Sequence, residues 1–119
     1  MKILVTGGCG FIGSNFINHM FRKYSECFIV NIDAMYYCAS VENVKKEYRD
    51  HKNYVFIKGN VNNMDLVNYT LDTYKPEYVI HFAAQSHVQN SFTDALLYTQ
   101  DNVLGTHNLL ECCRNNRDH

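Results

Sequence analysis

The sequence lacks an excess of either charge: eleven Lys and Arg stand against twelve Asp and Glu over 119 residues, for a formal net charge of −1. No like-charged run is longer than Lys45-Lys46, so the basic footprint of a nucleic-acid or anionic-membrane binder is missing. Long apolar runs are missing as well. Stretches such as Phe28-Ile29-Val30 fall far short of the roughly 20 residues of a membrane helix. The opening Met1-Lys2-Ile3-Leu4-Val5 reaches glycines before it attains the length of a signal-peptide core. Five cysteines (Cys9, Cys27, Cys38, Cys112, Cys113) form no Cys-x-x-Cys pair, which argues against a disulfide framework and for reduced thiols. A soluble, cytoplasmic protein with one domain and a single core is expected.

Four short apolar runs are present: Lys2 to Val5, Phe28 to Ile32, Tyr54 to Lys58 and Tyr78 to Phe82. Their starts lie 26, 26 and 24 residues apart. Each is nearly continuous rather than alternating, as in strands covered on both faces. Between the first two, Phe16, Ile17, Met20, Phe21 and Tyr24 form one helical stripe. Between the third and fourth, Leu66, Val67, Thr70, Leu71 and Tyr74 form another, capped by Asn63 or Asn62 and stopped by Pro76, the one proline of the chain. Val41, Val44 and Tyr48 suggest a short surface helix capped by Ser40. A last helix is expected from about Ser91 to Asn115, with Leu96, Leu97, Val103, Leu104, Leu109 and Leu110 as its apolar positions and Gly105 as a local weakness. Strand–helix alternation predicts an α/β fold: a Rossmann-type doubly wound parallel sheet, here partial, with strand order 3-2-1-4.

The most informative stretch is Thr6-Gly7-Gly8-Cys9-Gly10-Phe11-Ile12-Gly13-Ser14. It carries G-x-G-x-x-G between an apolar strand and an amphipathic helix, the context that gives the pattern meaning. One glycine permits the tight turn, one lets backbone approach a pyrophosphate, and Gly13 lets helix and strand pack closely. The helix N-terminus then offers N–H groups to phosphates. A nucleoside-triphosphate P-loop is excluded, because no Gly-Lys-Ser/Thr follows. Asp33 closes the second strand 20 residues after Gly13. A carboxylate there accepts ribose hydroxyls and repels a 2′-phosphate, which favours NAD over NADP.

Strand three ends in Lys58-Gly59-Asn60-Val61, and strand four runs into Ala83-Ala84-Gln85-Ser86-His87-Val88. Small Ala83 and Ala84 admit a flat nicotinamide ribose, and Asn60 can hydrogen-bond an adenine edge. Adjacent Ser86 and His87 point to opposite faces of an extended chain and cannot pair as nucleophile and base. His81, His87 and His107 lack metal-ligand spacing, so no metal site is expected. His81 reads as a core or second-layer histidine.

These motifs, together with Asn102-Val103-Leu104-Gly105-Thr106, resemble the extended short-chain dehydrogenase/reductase superfamily. Within it the sequence looks most like the dTDP- or UDP-glucose 4,6-dehydratases. The Ala-Ala-x-Ser-His-Val run and Tyr36-Tyr37-Cys38-Ala39 separate it from the related 4-epimerases, which stay as the alternative. The resemblance implies NAD as cofactor. It places Gly7, Gly10, Phe11, Ile12 and Gly13 at the phosphates and Asp33 at the adenosine ribose. Asn60 and Val61 would flank the adenine, with Ala83, Ala84 and Ser86 along the nicotinamide ribose. Ser86 and His87 would face a sugar nucleotide. The sequence departs from the pattern at Asn60 (usually Asp), at Ala34-Met35 (Lys-Leu), at Gln89-Asn90 (Asp-Arg) and at Asp101 (Thr).

The family's chemistry uses a helical Tyr-x-x-x-Lys pair and a Thr-Asp-Glu after a fifth strand. Tyr48 to Lys52 spells the first motif too early in the topology. Tyr54 to Lys58 spells it within a strand, where the two side chains stand some 13 Å apart. Residues 1–119 are therefore expected to be the N-terminal part of one NAD-binding domain, without catalytic residues or a substrate domain and inactive alone. A stand-alone dinucleotide-binding or interaction module is the other reading. An apolar fourth strand at the sheet edge, and the helix from Val103 to Leu110, suggest a homodimer or other self-association.

Overall fold

Four strands pair in parallel: β1 (Lys2–Thr6), β2 (Phe28–Asp33), β3 (Tyr54–Lys58) and β4 (Tyr78–His81), in the order β3-β2-β1-β4. The computed structural model describes residues 1–85 and 92–118. The register sets Leu4 opposite Val30 on one side and Val79 on the other. The sheet order matches the expected 3-2-1-4.

Alternation along β1 sends neighbouring side chains into two different cores. Ile3 and Val5 of β1 and Ile29 of β2 pack with Ile17, Met20 and Phe21 of α1 (Phe11–Lys23). Leu4, Val30 and Ile32 pack on the other face against Val67 and Leu71 of α3 (Met64–Tyr74) and Leu109 of α5 (Gly105–Asn115). This is why the central strands read as continuous apolar runs. Each such side chain, fully buried, contributes about 1.5–3 kcal/mol relative to exposure.

The α1 stripe is as expected except at Tyr24, which is exposed at the C-cap beyond the last turn. Of the two proposed caps for α3, Asn63 is the one used; its side chain accepts the Leu66 N–H at 3.1 Å. The helix ends at Lys75, in the left-handed region with φ 48°, one residue before Pro76.

Two expectations are corrected. The helix read from Val41, Val44 and Tyr48 is two pieces, a 3₁₀ turn at Val41–Asn43 and the short α2 at Lys46–Arg49. Ser40 does cap the first piece, accepting the Glu42 N–H. Val44 breaks the run because it turns inward and is fully buried against the α1 core, a requirement that a continuous surface helix would not meet.

The final helix begins, among the described residues, as α4 (Ala95–Thr99), widens to a π-helical turn at Gln100–Leu104, and continues as α5. Of its expected apolar positions only Leu109 is buried, and Leu97 is half-buried; Leu96, Val103, Leu104 and Leu110 are exposed. The buried face of α5 is instead Gly105, Leu109 and Cys112, at i, i+4 and i+7. Gly105 is not merely a weak spot: a Cβ there would come to 3.0 Å from Val61 Cγ2.

Candidate functional site

The carboxyl ends of the four strands and the start of α1 enclose a cleft of about 460 Å³, within the range of small-molecule sites. Its floor is the glycine-rich loop, whose shape follows from β1 and β2. Asn31 and Asp33 stand two residues apart on β2 and so project to one face. Asn31 Oδ1 accepts the Gly8 N–H, and Asp33 Oδ2 accepts the Cys9 N–H, both at 2.9 Å. The Gly7 N–H donates to the Ile32 carbonyl at 2.8 Å. Consecutive loop amides are thus tied to consecutive residues of one strand end.

Gly7 sits at φ 72°, and a Cβ there would lie 2.6 Å from the Ala83 nitrogen, so both conformation and space demand glycine. A Cβ on Gly13 would meet the Gly8 Cα at 2.8 Å, which sets how closely α1 approaches the loop. Gly10 differs. A Cβ there would touch only the Gly7 oxygen, at an ordinary 3.5 Å. The chain itself gives no reason for glycine at position 10, and the open space lies at the helix start.

That start is open and can accept an anion. Gly10 is the N-cap and supplies no side-chain cap, and the first turn holds no acidic residue. The first helical acceptor, the Gly10 carbonyl, is taken by the Ser14 N–H at 3.0 Å, so the amides before it point out of the helix end with partial positive charge. Phe11 and Ile12, 82% and 67% exposed, line the cleft beside them.

At the β2 end, Asp33 is buried, its carboxylate oriented by Cys9 on one oxygen and by the Met35 N–H on the other at 2.7 Å. Each oxygen keeps a lone pair for a further donor. Asn60 and Val61 line the cleft after β3, and Ala83 and Ala84 after β4. The structure therefore brings Gly7, Gly10, Phe11, Ile12, Gly13 and Asp33 together with these four. Ser86 and His87 lie outside the described residues.

Tyr36, Gln85 and Asp101, whose side chains carry hydrogen-bonding oxygen or nitrogen, also line the cleft and were given no role there from the sequence. Asp101 is buried within the π-helical turn. Its Oδ2 accepts from Gln85 Nε2 at 2.8 Å, and its Oδ1 is 3.5 Å from the Tyr36 hydroxyl. Asn60 Nδ2 donates to the Tyr36 oxygen at 2.9 Å. Asn31 was missed too, hidden inside an apolar run. A polar residue two before a strand-end Asp, on the same face, was its available signal.

Electrostatics separate reactive from structural groups. Burial, then the Asp33 charge, pushes the Cys9 thiol up to about 11, which makes it inert at neutral pH. Burial pushes the Tyr54 phenol up to about 12; it packs on Phe21 and accepts from Asn31 Nδ2 at 3.0 Å. That is the reverse of an activated tyrosine, so Tyr54 and Lys58 are strand neighbours rather than a catalytic pair. Tyr48 lies in α2, which ends at Arg49, short of Lys52. Burial lowers the pKa of His81, whose ring bridges Thr6 and Thr106 as a structural histidine would. All five cysteines are free. Among the described residues no His, Cys, Asp and Glu group is arranged to hold a metal, and no helix is long and apolar enough to cross a membrane.

The chain is similar in sequence and in fold to known proteins. The family model described as GDP-mannose 4,6 dehydratase matches residues 4–119. The chain is 42% identical over 113 residues to the trifunctional UDP-glucose 4,6-dehydratase/UDP-4-keto-6-deoxy-D-glucose 3,5-epimerase/UDP-4-keto-L-rhamnose-reductase of Arabidopsis thaliana, covering 95% of this chain and 17% of that protein. It is 40% identical over 116 residues to the dTDP-D-glucose 4,6-dehydratase of Homo sapiens, covering 98% and 33%. The chain thus spans a third or less of the length of these relatives. Among solved structures, the dTDP-glucose 4,6-dehydratase of Bacillus anthracis in complex with NAD superimposes with a TM-score of 0.84 at 37% identity, covering 97% of this chain and 34% of that one. The UDP-glucose 4-epimerase of Thermotoga maritima with UDP-glucose gives 0.84 at 28% identity, covering 98% and 35%.

Proposed function

The chain belongs to the GDP-mannose 4,6 dehydratase family, and from that premise we propose that it is the dinucleotide-binding part of a nucleotide-sugar 4,6-dehydratase that uses NAD. The observation that carries this reading is the uncapped start of α1 beside Gly10, where a Cβ would have room and nothing in the chain fills the space. Such a cradle suits a diphosphate. Asp33, pre-oriented by two backbone amides, suits the paired hydroxyls of a ribose and opposes a 2′-phosphate. The NAD carried by the Bacillus anthracis structure supports the same cofactor.

When bound, NAD⁺ would supply a hydride acceptor for oxidation of the sugar ring. The chain's own residues would bind and orient it: the α1 amides at the phosphates, Asp33 at the adenosine ribose, Asn60 and Val61 at the base, and Ala83 and Ala84 beside the nicotinamide ribose. Ser86 and His87 are proposed on the sugar-nucleotide side. Among the described residues the tyrosine lining the cleft is Tyr36, whose pKa is raised rather than lowered, and we infer binding without turnover by this chain alone. A 4-epimerase would share the fold equally well, since both kinds of enzyme superimpose with the same score. The 40–42% identity to curated relatives named as 4,6-dehydratases favours the dehydratase. The exposed Leu96, Val103, Leu104 and Leu110 support self-association, which sedimentation would detect and a strictly monomeric profile would exclude.

Equilibrium dialysis of the purified chain against NAD⁺ and NADP⁺ tests the cofactor assignment. Preference for NAD⁺ is expected; equal or tighter binding of NADP⁺ would overturn the role given to Asp33.

A further inference from the structure

Two cleft residues that the proposed function leaves idle, Tyr36 and Asp101, are joined to one that it uses. Tyr36 follows β2 and Asp101 lies in the π-helical turn 65 residues away, yet their side chains meet at 3.5 Å, the outer limit of a hydroxyl contact. The chemistry of the three groups fixes the direction of the contact chain. A carboxylate only accepts, so the Tyr36 proton is directed to Asp101. The Tyr36 oxygen is then left as an acceptor, and at 2.9 Å it faces Asn60 Nδ2. At its other end, the Asn60 amide accepts the Asn62 N–H on Oδ1, also at 2.9 Å. Gln85 Nε2 holds the second Asp101 oxygen, and the Gln85 backbone is itself fixed, its N–H donating to Asn102 Oδ1 at 2.7 Å. Burial and the Asp101 charge both raise the Tyr36 pKa, consistent with a hydroxyl that keeps its proton.

We propose that Asp101 and Tyr36 are positioning residues that lock the Asn60 amide in one orientation, so that its oxygen serves as the acceptor offered to the base and the cleft selects a 6-amino purine over a 6-oxo purine. An Asn free to flip would present oxygen or N–H with little preference and would discriminate poorly. Here a flip would set the amide oxygen against the Tyr36 oxygen and the amide N–H group against the Asn62 N–H, breaking two bonds at once. The selection rests on the cofactor reading above, because it supposes the base end of a dinucleotide at Asn60.

The experiment compares NAD⁺ with nicotinamide hypoxanthine dinucleotide, which differs at the 6-position and N1 of the base, by calorimetric titration of the full chain and of Tyr36→Phe and Asp101→Ala. Circular dichroism confirms that each variant is folded, and either variant alone carries the test if the other does not fold. The wild type is expected to prefer NAD⁺ by about ten-fold, the usual consequence of leaving a polar group unpaired once a bound base covers it. Each variant is expected to lower that ratio to about three-fold, because the Tyr36 contact no longer opposes a flip of the amide while the Asn62 N–H still does. A purely structural role would weaken both ligands alike and leave the ratio in place. NAD⁺ binding with an unchanged ratio in the folded variants, or with no preference in the wild type, overturns the positioning role alone. Failure of the folded wild type to bind either dinucleotide overturns the cofactor reading, and the positioning role with it.

Discussion

Asn31 Oδ1 accepts the Gly8 N–H at 2.9 Å, so the backbone of the glycine-rich loop is held by a side chain from the middle of the sheet. Asn31 is fully buried, and its Nδ2 donates to the Tyr54 hydroxyl at 3.0 Å. Replacing it by Leu keeps the number of side-chain heavy atoms but adds volume in a fully buried position, strands the Gly8 N–H and removes the donor to the Tyr54 hydroxyl. Asn31→Leu is expected to lower stability by about 2–4 kcal/mol in urea denaturation. A loss under about 0.5 kcal/mol, the ordinary scatter of neutral surface changes, would mean that the loop does not depend on this contact.

Gly7 and Gly10 separate folding from binding. Gly7→Ala places a Cβ in the left-handed region and against the Ala83 backbone, and is expected to cost about 2 kcal/mol or more. Gly10 has extended backbone, φ −79° and ψ 179°, which alanine adopts freely, so Gly10→Ala is expected to cost about 1 kcal/mol or less. Paired denaturation curves check the contrast, and equal losses would contradict it.

The pH dependence of stability should carry a His81 signature. Thr106 Oγ1 donates to the Asn102 carbonyl, which leaves its oxygen to accept from His81 Nε2–H; Thr6 Oγ1 accepts the Ala83 N–H and donates to His81 Nδ1. Both ring nitrogens are therefore committed in the neutral form. Burial lowers the folded-state pKa below the ordinary 6.5, so as pH falls through that value the unfolded chain binds the proton first. Stability is complete above 6.5 and declines below it. Melting temperatures should fall between neutral pH and the onset of carboxylate titration, and His81→Gln should flatten that part of the profile. An unchanged slope would count against the assignment.

The central strands β1 and β2 were legible because both of their faces are covered, which makes each a continuous apolar word; β3 and β4 carry a similar apolar run although they are only partly buried. The glycines and Asp33 were legible because their spacing encodes local geometry. Tyr36 and Asp101 were not, since only the fold brings them together from 65 residues apart, and a helical aspartate ordinarily reads as solvated. The last helix misled for a different reason. Its buried face uses Gly105 and Cys112 around a single large residue, Leu109, so its most hydrophobic residues mark the outward side instead. Asn31 was masked by its neighbours, a polar residue fully buried within Phe28–Asp33.

Cys38 offers a chemical probe of occupancy. It is exposed and lines the cleft, whereas Cys9, Cys27 and Cys112 are buried and Cys113 is half-buried. Brief treatment with iodoacetamide should alkylate Cys38 first, and saturating NAD⁺ should slow that reaction several-fold while leaving Cys113 unaffected. Peptide mass mapping reads both sites. Equal rates with and without NAD⁺ would place the ligand away from this wall.

On the proposed reading, the open start of α1 beside Gly10 would hold the diphosphate of NAD. Thermal denaturation of the wild type and of Gly10→Ala across a series of NAD⁺ concentrations tests this. A ligand at about 100 times its dissociation constant adds about 2.7 kcal/mol to the folded state, so the wild-type Tm should climb by several degrees and saturate. Gly10→Ala, folded but with its cradle filled, should climb far less. A wild-type Tm that stays flat up to millimolar NAD⁺, or a Gly10→Ala variant that gains as much as the wild type, would contradict it.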